Sequence, residues 1–393
     1  MKEFKDLALD QSLPTTVVNI EDKSRSNLFT WRGQFSPQLI EQILINYADK
    51  NYSVFDPFLG SGTVLYECAL LGMKASGTEI NPAAIAFASI YELANISKNE
   101  RMGAIEKIES FVSEYTNDLP LFDCKPIEYF EQELINYYEK CDEGIERKVL
   151  FALITGLDFE AKKIDVKRIN NVWGTLRANV ENIPLSKKKI KCYQADARKT
   201  PVKENSVDFV VTSPPYINVF NYHQNYRKSV EKTGVDVLSV AKSEIGANRK
   251  FRQNRFLTVV QYCMDLAEVF IELQRVCRST AKIIFIVGRE SNVRRTAFKN
   301  AMLISSVARQ CGFGLVGEQE RVFTNKFGES IYEEILRFEI LNREFDDPIE
   351  SAREVGRDAL MRSLEYCTPD VKDEILEALD KSQTITTSPF LGK

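Results

Sequence analysis

This sequence of 393 residues is poor in the residues that mark metal centres, secreted scaffolds and membrane spans. It has one histidine, and its eight cysteines include no Cys-x-x-Cys pair. Neither a zinc site nor a disulfide framework is predicted, and the thiols are expected to be reduced. No run approaches the roughly 18 consecutive apolar residues of a membrane helix, and Met1 to Asp6 contain no apolar segment typical of a secretory signal. We therefore expect a cytoplasmic protein without a metal or a membrane contact.

The sequence also lacks the positive charge of many nucleic-acid-binding proteins. Its formal net charge is -4, from 52 Lys and Arg against 56 Asp and Glu. The acid is concentrated after residue 340, whereas basic clusters lie at 187–191, 227–228, 242–255 and 294–295. Such clusters are commonly solvated surfaces, but they also suit contact with phosphates. Charge alone therefore neither predicts nor excludes nucleic-acid binding.

Short apolar runs alternate with helical patterns along most of the chain. The predicted strands cover residues 52–55, 74–79, 190–194, 207–211, 282–287, 315–324 and 332–340. The predicted helices include one ending at residue 47 and others at 64–71, 83–94, 256–277 and 296–309. The last two strands are separated by a short turn, which predicts a hairpin. The pattern predicts an α/β fold with a mostly parallel sheet and an antiparallel edge hairpin.

Residues 97–186 interrupt this alternation. They have helical periodicity without strand signals, so we predict a helical insertion. The predicted division is therefore into residues 1–96, the first half of the sheet domain; 97–186, the insertion; 187–345, the second half with a loop at 217–255; and 346–393, an acidic helical tail.

The segment Thr212-Ser213-Pro214-Pro215-Tyr216 directly follows a predicted buried strand. Proline fixes φ and has no N–H, so the segment presents a serine hydroxyl and carbonyl oxygens in a stiff frame beside an aromatic ring. Such a frame accepts hydrogen bonds and stacks on a flat ligand. A planar base with an exocyclic amino group supplies both the donors and the flat face.

A glycine-rich turn, Asp-Pro-Phe-Leu-Gly-Ser-Gly-Thr at 56–63, follows the first strand. In an open α/β sheet such a turn lets a ligand approach the backbone closely. It has neither the Gly-Lys-Ser/Thr ending of a P-loop nor a full Gly-x-Gly-x-x-Gly, which disfavours triphosphates and dinucleotides. Glu79 ends the second strand, where an acid can accept both hydrogens of a ribose diol, with Ile80 and Asn81 beside an adenine. The spacing therefore fits a nucleoside without phosphates.

Together these segments resemble the motifs of the S-adenosylmethionine-dependent DNA amino-methyltransferases. The matching segments are Asp-Pro-Phe-Leu-Gly-Ser-Gly-Thr at 56–63, Thr-Glu-Ile-Asn-Pro at 78–82 and Thr-Ser-Pro-Pro-Tyr at 212–216. The Ser-Pro-Pro-Tyr form resembles the cytosine-N4 group, whereas adenine-N6 enzymes more often have Asp or Asn in place of Ser213. The resemblance implies a Rossmann-like class I methyltransferase fold with a mostly parallel, seven-stranded sheet, and it covers residues 1–95 and 187–340.

The resemblance also implies which residues bind S-adenosylmethionine. It assigns Phe35 to packing on the methionine part of the cofactor and Asp196 to holding the adenine amino group. The implied cofactor-binding residues are Phe35, Asp56, Phe58, Gly60, Ser61, Gly62, Thr63, Glu79, Ile80, Asn81, Asp196 and Ala197. In this division, residues 1–96 form the cofactor half and residues 187–345 the catalytic half.

The candidate catalytic residues are Ser213, Pro214, Pro215 and Tyr216. An exocyclic amine is a poor nucleophile because its lone pair is delocalised into the ring, and acceptors that bind its hydrogens free that pair for attack. The Ser213 hydroxyl and the Pro214 carbonyl are the expected acceptors, and Tyr216 is expected to stack on a base that has left the duplex. Catalysis then consists mainly of positioning and electrostatics. Cytosine-C5 methylation needs a Pro-Cys nucleophile, and no cysteine here follows a proline.

The segment 217–255 is the favoured DNA-contacting element, because it adds aromatic, amide and basic side chains next to Tyr216. Its candidate DNA-binding residues are Asn218, Tyr222, His223, Arg227, Lys228, Arg249, Lys250 and Arg252. The insertion and the tail remain alternative locations for sequence recognition. Trp31 and Trp173 are expected in the core.

The sequence therefore predicts a site-specific methyltransferase for cytosine N4 in double-stranded DNA, with a cognate restriction endonuclease as a candidate partner. Three alternatives stay open. The same turn presents acceptors to an adenine N6 amine. An RNA amino-methyltransferase shares the glycine turn, although it usually carries Asn or Asp before Pro-Pro. The third alternative is a non-catalytic DNA-binding subunit, against which the intact cofactor and amine motifs argue.

Overall fold

A computed structural model of the protein describes residues 3–21, 23–31, 33–117, 124–159, 162–217, 222–246, 251, 253–325, 328–344 and 346–391. Its helices are α1 (Thr15–Asn19), α2 (Pro37–Tyr47), α3 (Thr63–Leu71), α4 (Pro82–Ala88), α5 (Lys98–Thr116), α6 (Phe130–Lys140), α7 (Ile145–Leu157), α8 (Val166–Asn182), α9 (Arg227–Glu231), α10 (Val237–Val240), α11 (Leu257–Val276), α12 (Asn300–Gln310), α13 (Pro348–Ser363) and α14 (Lys372–Lys381). Its strands are β1 (Ser53–Asp56), β2 (Lys74–Glu79), β3 (Ile190–Gln194), β4 (Val207–Thr212), β5 (Cys277–Gly288), β6 (Glu290–Val293), β7 (Thr296–Lys299), β8 (Phe313–Thr324) and β9 (Ser330–Ile340).

Within these residues, seven strands form one sheet in the order β3-β2-β1-β4-β5-β9-β8. The first five strands in this order are parallel, whereas β9 pairs antiparallel with both β5 and β8. The predicted mostly parallel sheet with an antiparallel edge hairpin is confirmed. The chain runs outward from β1 to β3 and then returns to β4 on the other side of β1. This reversal opens a crevice at the carboxyl ends of β1 and β4, where ligands bind in open α/β sheets.

The central strands separate two apolar cores. In β5, Ile284 and Ile286 belong to the first core, whereas Ile283 and Phe285 belong to the second. Successive side chains of a strand point to opposite faces, so a strand between two helical layers is apolar at every position. This arrangement explains why the central strands are continuous apolar runs in the sequence.

Helices from different parts of the chain cover the two faces of the sheet. The first core includes residues of α2, α3 and α5–α8, and the second includes residues of α11–α14. Residues 97–186 thus form helices that pack on the sheet, beginning with a capping box between Ser97 and Glu100. The tail packs closely as well, because a Cβ on Gly356 of α13 would lie 2.7 Å from Val260 Cα in α11. The boundaries of the four predicted parts remain a prediction.

Two predicted helices differ from the structure. The helix predicted at 296–309 begins only at Asn300, because the four residues before it form β7, which pairs with β6 in a separate hairpin. The turn of this hairpin places Arg294 and Arg295 at φ of 50° and 66°. The helix predicted at 83–94 continues beyond α4 as the 3-10 helix Ser89–Asn95. Short segments of this kind carry too few residues for periodicity to distinguish them.

None of the helices that the structure describes is long and apolar enough to cross a membrane. All eight cysteines have free thiols. In the described ranges, no group of three or more His, Cys, Asp and Glu side chains is placed to hold a metal ion.

Candidate active site

The carboxyl ends of the central strands open into a cavity of about 870 Å³. Its walls come from the turns after β1, β2, β3 and β4, from residues 243–245, from the β8–β9 hairpin and from residues 23–35. The predicted site residues that line it are Phe35, Phe58, Gly60, Ser61, Thr63, Glu79, Ile80, Asn81, Asp196, Ala197, Ser213, Pro214, Pro215 and Tyr216. Asp56 and Gly62 lie behind this lining. The structure thus brings the three sequence motifs to one cavity.

The turn between β1 and α3 requires glycine. Gly60 and Gly62 have φ of 53° and 95°, which side chains rarely adopt. A Cβ on Gly62 would lie 2.7 Å from the Tyr91 ring, so this position has no room for a side chain. Gly62 is also the N-cap residue of α3. The glycines therefore let the backbone at the start of α3 form the cavity wall.

Asp56 ends β1 beneath the cavity and is fully buried. Its Oδ1 accepts hydrogen bonds from the Thr212 hydroxyl at 2.6 Å and from the Phe58 amide at 3.0 Å. Its Oδ2 has no hydrogen-bond partner among the residues that the structure describes. Burial raises the pKa of this carboxyl to about 7, although the two hydrogen bonds oppose the rise. Asp56 thus links the motifs after β1 and β4 and keeps one oxygen for a donor.

Glu79 organises the next part of the wall through both carboxylate oxygens. Oε2 accepts a hydrogen bond from the Gly60 amide at 2.9 Å, and Oε1 accepts one from the Asn81 amide at 2.8 Å. Burial raises the pKa of Glu79 to about 7 against these bonds. Asn81 caps α4 because its Oδ1 accepts from the Ala83 amide at 2.9 Å, whereas its Nδ2 lacks a partner within the described chain. A carboxylate therefore lies next to an unused amide donor.

Asp196 follows β3 and is already held by the protein. Its Oδ1 accepts from the Arg198 amide at 3.0 Å and from Arg198 Nε at 2.9 Å. Its Oδ2 accepts from Arg198 Nη2 at 2.7 Å and from the Leu391 amide at 3.3 Å. Arg198 is buried and also contacts Asp265 and Glu268. An adenine amino group would have to share Asp196 with the tail, and the predicted adenine contact stays a prediction.

Ser213 to Tyr216 form the other end of the cavity. The Tyr216 hydroxyl accepts a hydrogen bond from the Gly288 amide at 2.8 Å and lies 3.4 Å from Ser213 Oγ. The Tyr216 ring occupies the space above Gly288, where a Cβ would come within 3.4 Å of it. Burial raises the pKa of Tyr216 to about 12, so the hydroxyl is a neutral phenol. The phenol therefore ties the turn after β4 to the end of β5 and restricts the ring to one orientation.

The β8–β9 hairpin supplies a wall that the sequence did not predict. Its lining residues are Phe323, Asn325, Ile331 and Glu333. Glu333 pairs with Gly288 of β5 on one side and with Arg321 of β8 on the other. Paired positions share a face of the sheet, so the Tyr216 ring above Gly288, the Glu333 carboxylate and the Arg321 guanidinium form a row. Arg321 Nη1 lies 3.4 Å from Glu333 Oε2.

The segment 222–246 folds over the cavity. Glu244 lines it together with Ser243 and Ile245. His223 is 2% exposed, and its Nδ1 lies 2.9 Å from Glu244 Oε2. In this structure His223 is therefore buried against a cavity-lining carboxylate, and its predicted contact with DNA stays a prediction.

The other DNA-binding candidates are only partly described. Arg227 begins α9, and its Nε lies 2.7 Å from Glu231 Oε1. Lys228 is exposed on the same helix. The candidates Asn218, Arg249, Lys250 and Arg252, and the side chain of Tyr222, lie outside the described residues. Contact between this segment and DNA stays a prediction.

The segment before α2 closes the cavity from a third side. Gln34 Nε2 donates a hydrogen bond to Ser61 Oγ at 2.6 Å, which ties this segment to the glycine turn. Trp31 lines the cavity and stacks on Tyr226 with ring centroids 6.2 Å apart. Trp31 is partly buried against the first core and also lines the cavity, whereas Trp173 is buried as predicted. No local signal distinguishes the two tryptophans, because the partner of Trp31 lies far along the chain.

The chemistry of these residues fits S-adenosylmethionine. Asp56 has an oxygen that is unpaired within the described chain, but the residue is fully buried behind the lining, so its predicted contact with the cofactor stays a prediction. Glu79 suits a ribose diol, and the unused Nδ2 of Asn81 suits a ring nitrogen that accepts a hydrogen bond. Buried polar atoms without partners cost free energy, which a ligand with matching groups recovers. The cavity also has the size of small-ligand sites, which enclose about 300–1,000 Å³.

Comparisons with known proteins agree with this site. Residues 3–90 match the family model described as DNA methylase, of the N6 and N4 type. The chain is 21% identical to the Type II methyltransferase M.MjaII of Methanocaldococcus jannaschii, over 83% of each protein. It is 22% identical to the Type II methyltransferase M.BsoBI of Geobacillus stearothermophilus over 55% of this chain, and it spans about half of that protein, 54%. A solved S-adenosylmethionine-dependent methyltransferase of Methanosarcina mazei aligns over 75% of this chain and 95% of its own, with 10% identity and a TM-score of 0.34, and that value is too low to support an argument.

The match to the methylase family confirms the resemblance that the motifs indicated. It also confirms S-adenosylmethionine as the cofactor. The family combines adenine-N6 and cytosine-N4 enzymes, so the match does not separate the two bases.

Proposed function

We propose that this protein is a site-specific DNA methyltransferase that moves a methyl group from S-adenosylmethionine to the exocyclic N4 amine of a cytosine flipped out of double-stranded DNA. The observation that carries the proposal is the one cavity that Glu79 and the Ser213–Tyr216 turn line together. A cavity with a ribose acceptor at one end and amine acceptors at the other suits direct transfer between a nucleoside cofactor and a base. The names of the relatives, which are Type II methyltransferases, support DNA as the substrate.

The cofactor end of the cavity comprises the residues that the motifs assigned to S-adenosylmethionine. These are Phe35, Asp56, Phe58, Gly60, Ser61, Gly62, Thr63, Glu79, Ile80, Asn81, Asp196 and Ala197. The bound cofactor supplies an electrophilic methyl group on a positively charged sulfur. Glu79 would accept from the ribose, and this contact would restrict the position of the sulfur attached to it.

The base end positions the nucleophile. Ser213 Oγ and the Pro214 carbonyl would accept the two hydrogens of the amine, which would free its lone pair for in-line attack on the methyl carbon. The carbon–sulfur bond would break as the nitrogen–carbon bond forms, S-adenosylhomocysteine would leave, and the methylated amine would lose one proton to water. Pro215 keeps the turn stiff, because its ring fixes φ. Tyr216 stacks on the flipped base, and the bond from the Gly288 amide to its hydroxyl holds the ring in one plane. These contacts reduce the freedom of the base before transfer, which is the main source of acceleration in this arrangement.

The identity of Ser213 supports cytosine as the target. Its hydroxyl is a neutral acceptor, whereas adenine-N6 enzymes of this type more often present a carboxylate or an amide at the corresponding position. Adenine N6 is the second candidate, because the same turn presents acceptors to either amine.

One experiment tests base, atom and sequence together. The purified protein is incubated with S-adenosylmethionine and unmethylated plasmid DNA, and the product is analysed by nucleoside mass spectrometry and methylation-aware sequencing. We expect N4-methylcytosine at one short sequence motif, and we expect none with S213A. N6-methyladenine as the sole product would overturn the cytosine assignment. Binding of S-adenosylmethionine and DNA without any methylated product would support a non-catalytic DNA-binding subunit, and methylation of RNA alone would overturn DNA as the substrate.

We also propose that residues 217–255 contact DNA beside the cavity and that a restriction endonuclease of the same specificity is the partner. The support is the position of residues 243–245 in the cavity wall and the basic residues Arg227 and Lys228 on the same segment. The protein is expected to act in the cytoplasm, where its thiols stay reduced. A variant that reverses both charges, R227E/K228E, should weaken binding to any DNA sequence and reduce its salt dependence. Unchanged DNA affinity would exclude these two residues.

A further inference from the structure

Glu244 belongs to the segment that the sequence assigned to DNA, yet it lies in the wall of the cofactor cavity. Its side chain is 11% exposed. One carboxylate oxygen, Oε2, lies 2.9 Å from His223 Nδ1. The other, Oε1, is buried and has no hydrogen-bond partner in the part of the chain that the structure describes. Glu244 therefore brings an unused acceptor to the cavity.

The neighbour of Glu244 in the cavity is Glu79. Both residues line the same cavity, and the charge of Glu244 adds to the burial that raises the pKa of Glu79. Glu79 already accepts hydrogen bonds from the Gly60 and Asn81 amides. Two acids that face one space repel each other unless donors lie between them. The space beside Glu79 therefore needs hydrogen-bond donors, and it needs more than one.

A ribose diol meets this need. It presents two hydroxyl hydrogens on adjacent carbon atoms, and each can be donated to a separate carboxylate. We propose that Glu244 is a second ribose-binding acid, which accepts a hydrogen bond from the cofactor ribose opposite Glu79. This inference rests on the proposed function only in taking the ligand to be S-adenosylmethionine.

His223 acts on the ribose through Glu244. The Nδ1–H group donates to Oε2 and fixes the carboxylate, while Oε1 has no partner among the described residues. The ring is enclosed, because His223 is 2% exposed. His223 is therefore a positioning residue, and the bond that matters is the one from its Nδ1–H.

The test measures ligand affinity in the full-length protein by isothermal titration. The ligands are S-adenosylmethionine, S-adenosylhomocysteine and 5′-methylthioadenosine, the last of which has the ribose and the adenine without the amino acid. Glu244→Gln should lower the affinity for all three ligands by a similar factor of roughly 10. Glu244→Ala should lower it by a factor of up to roughly 100, as expected for one hydrogen bond to a charged acceptor. Glu231→Gln is the matched control, because Glu231 lies in the same segment, pairs with Arg227 and does not line the cavity.

A thermodynamic cycle assigns the contact to the ribose. The 2′-deoxy and 3′-deoxy forms of 5′-methylthioadenosine should bind the wild-type protein more weakly than the parent ligand. In Glu244→Gln the penalty for one of the two deletions should shrink toward zero, because the partner of that hydroxyl is already lost. Equal penalties in both proteins would overturn the assignment. A loss confined to S-adenosylmethionine would overturn it as well, because it would place Glu244 against the sulfonium.

Control variants separate this inference from the proposed function. Wild-type protein that fails to bind S-adenosylmethionine contradicts the proposed function itself. If Glu79→Gln weakens binding and both Glu244 variants bind as the wild type does, the function stands and the second acid is refuted. Unchanged melting temperatures of the Glu244 variants show that they are folded.

The role of His223 has its own readout. Asn has a side-chain N–H close to the position of His Nδ1, so His223→Asn should retain ligand affinity within roughly threefold, whereas His223→Ala should lose as much as Glu244→Gln. If both variants lose the same affinity, His223 does not act through this hydrogen bond.

Discussion

The Tyr216 hydroxyl is the atom that joins the base end of the cavity to the sheet. It accepts from the Gly288 amide at 2.8 Å and lies 3.4 Å from Ser213 Oγ. The substitution Tyr216→Phe deletes this oxygen and leaves the ring that is proposed to stack on the base. It therefore separates the anchoring role of the residue from its stacking role.

Two separate losses follow from this deletion. The partly buried Gly288 N–H loses its acceptor, which costs about 0.5–1.5 kcal/mol of unfolding free energy and lowers Tm by about 1–3 °C. The Ser213 hydroxyl loses a long hydrogen bond that orients it, which costs about 1 kcal/mol in the transition state, or about fivefold in kcat. Tyr216→Ala also removes the stacking surface, which is worth about 1–3 kcal/mol per base, so kcat/KM should fall by a further factor of about 5–150.

The assay combines differential scanning fluorimetry with steady-state methylation of a plasmid that carries the target site. The affinity for S-adenosylhomocysteine should stay within about twofold in both variants, because the hydroxyl lies at the other end of the cavity from Glu79. Tyr332→Phe is the control, because Tyr332 is an exposed tyrosine of β9 that does not line the cavity. If Tyr216→Phe retains both the wild-type Tm and the wild-type kcat, the anchoring role is wrong.

Three further perturbations test the cofactor end and the fold around it. Burial raises the pKa of Glu79 to about 7, so between about pH 5 and 7 the folded protein keeps a proton that the unfolded chain releases, and its stability falls as pH rises. A bound diol favours the ionised form of Glu79, so titration calorimetry should show cofactor affinity rising with pH over the same window. Affinity should depend less steeply on pH in Glu79→Gln. An unchanged dependence would exclude Glu79 as the titrating group. Gly62→Ala should lower the free energy of unfolding in urea by about 1–3 kcal/mol more than Gly72→Ala, because both glycines have positive φ but only a Cβ on Gly62 would contact the Tyr91 ring. Equal losses would show that the Tyr91 ring moves aside. Arg198→Met should lower the free energy of unfolding by about 3–5 kcal/mol, because it leaves the buried carboxylates of Asp196 and Asp265 without their arginine partner. A value within about 1 kcal/mol of the wild type would show that Arg198 contributes little to stability.

The elements that the sequence predicts well are those whose signals are local. Val207 to Val211 is apolar at almost every position because β4 lies between two helical layers, and this property alone identifies it as a buried strand. The glycine turn can also be predicted from the sequence, since Gly62 has a backbone conformation and a close neighbour that only glycine accommodates. In the Thr212–Tyr216 turn, the two prolines fix the backbone φ angles at their own positions. These three segments place the cavity at the switch between β1 and β4, because parallel strands end at the same edge.

The remaining parts of the site depend on contacts between distant segments. Nothing local indicates that Leu391 reaches Asp196, since their hydrogen bond joins positions 195 residues apart. The same holds for Glu333, which reaches the base end only because β9 pairs with β5. The aromatic and amide-rich neighbours of His223 indicate a DNA contact, and they give no sign of the acid that packs against its ring, which lies 21 residues later. Pairing across such separations follows from packing of the whole chain, which a pattern of nearby residues does not encode.

The segment 222–246 has two different ends. Its exposed part carries Arg227 and Lys228 on α9, and its other end places Glu244 in the cofactor cavity. A buried contact joins the segment to the rest of the protein, because the Ser229 hydroxyl accepts from the Phe159 amide at 2.6 Å. Within the segment, His223 pairs with Glu244. The surface proposed to meet DNA and the wall of the cofactor cavity are therefore one continuous piece of chain. If the cofactor orders one end of this piece and DNA binds the other, we expect the affinity of each ligand to rise in the presence of the other, by the same factor in both directions.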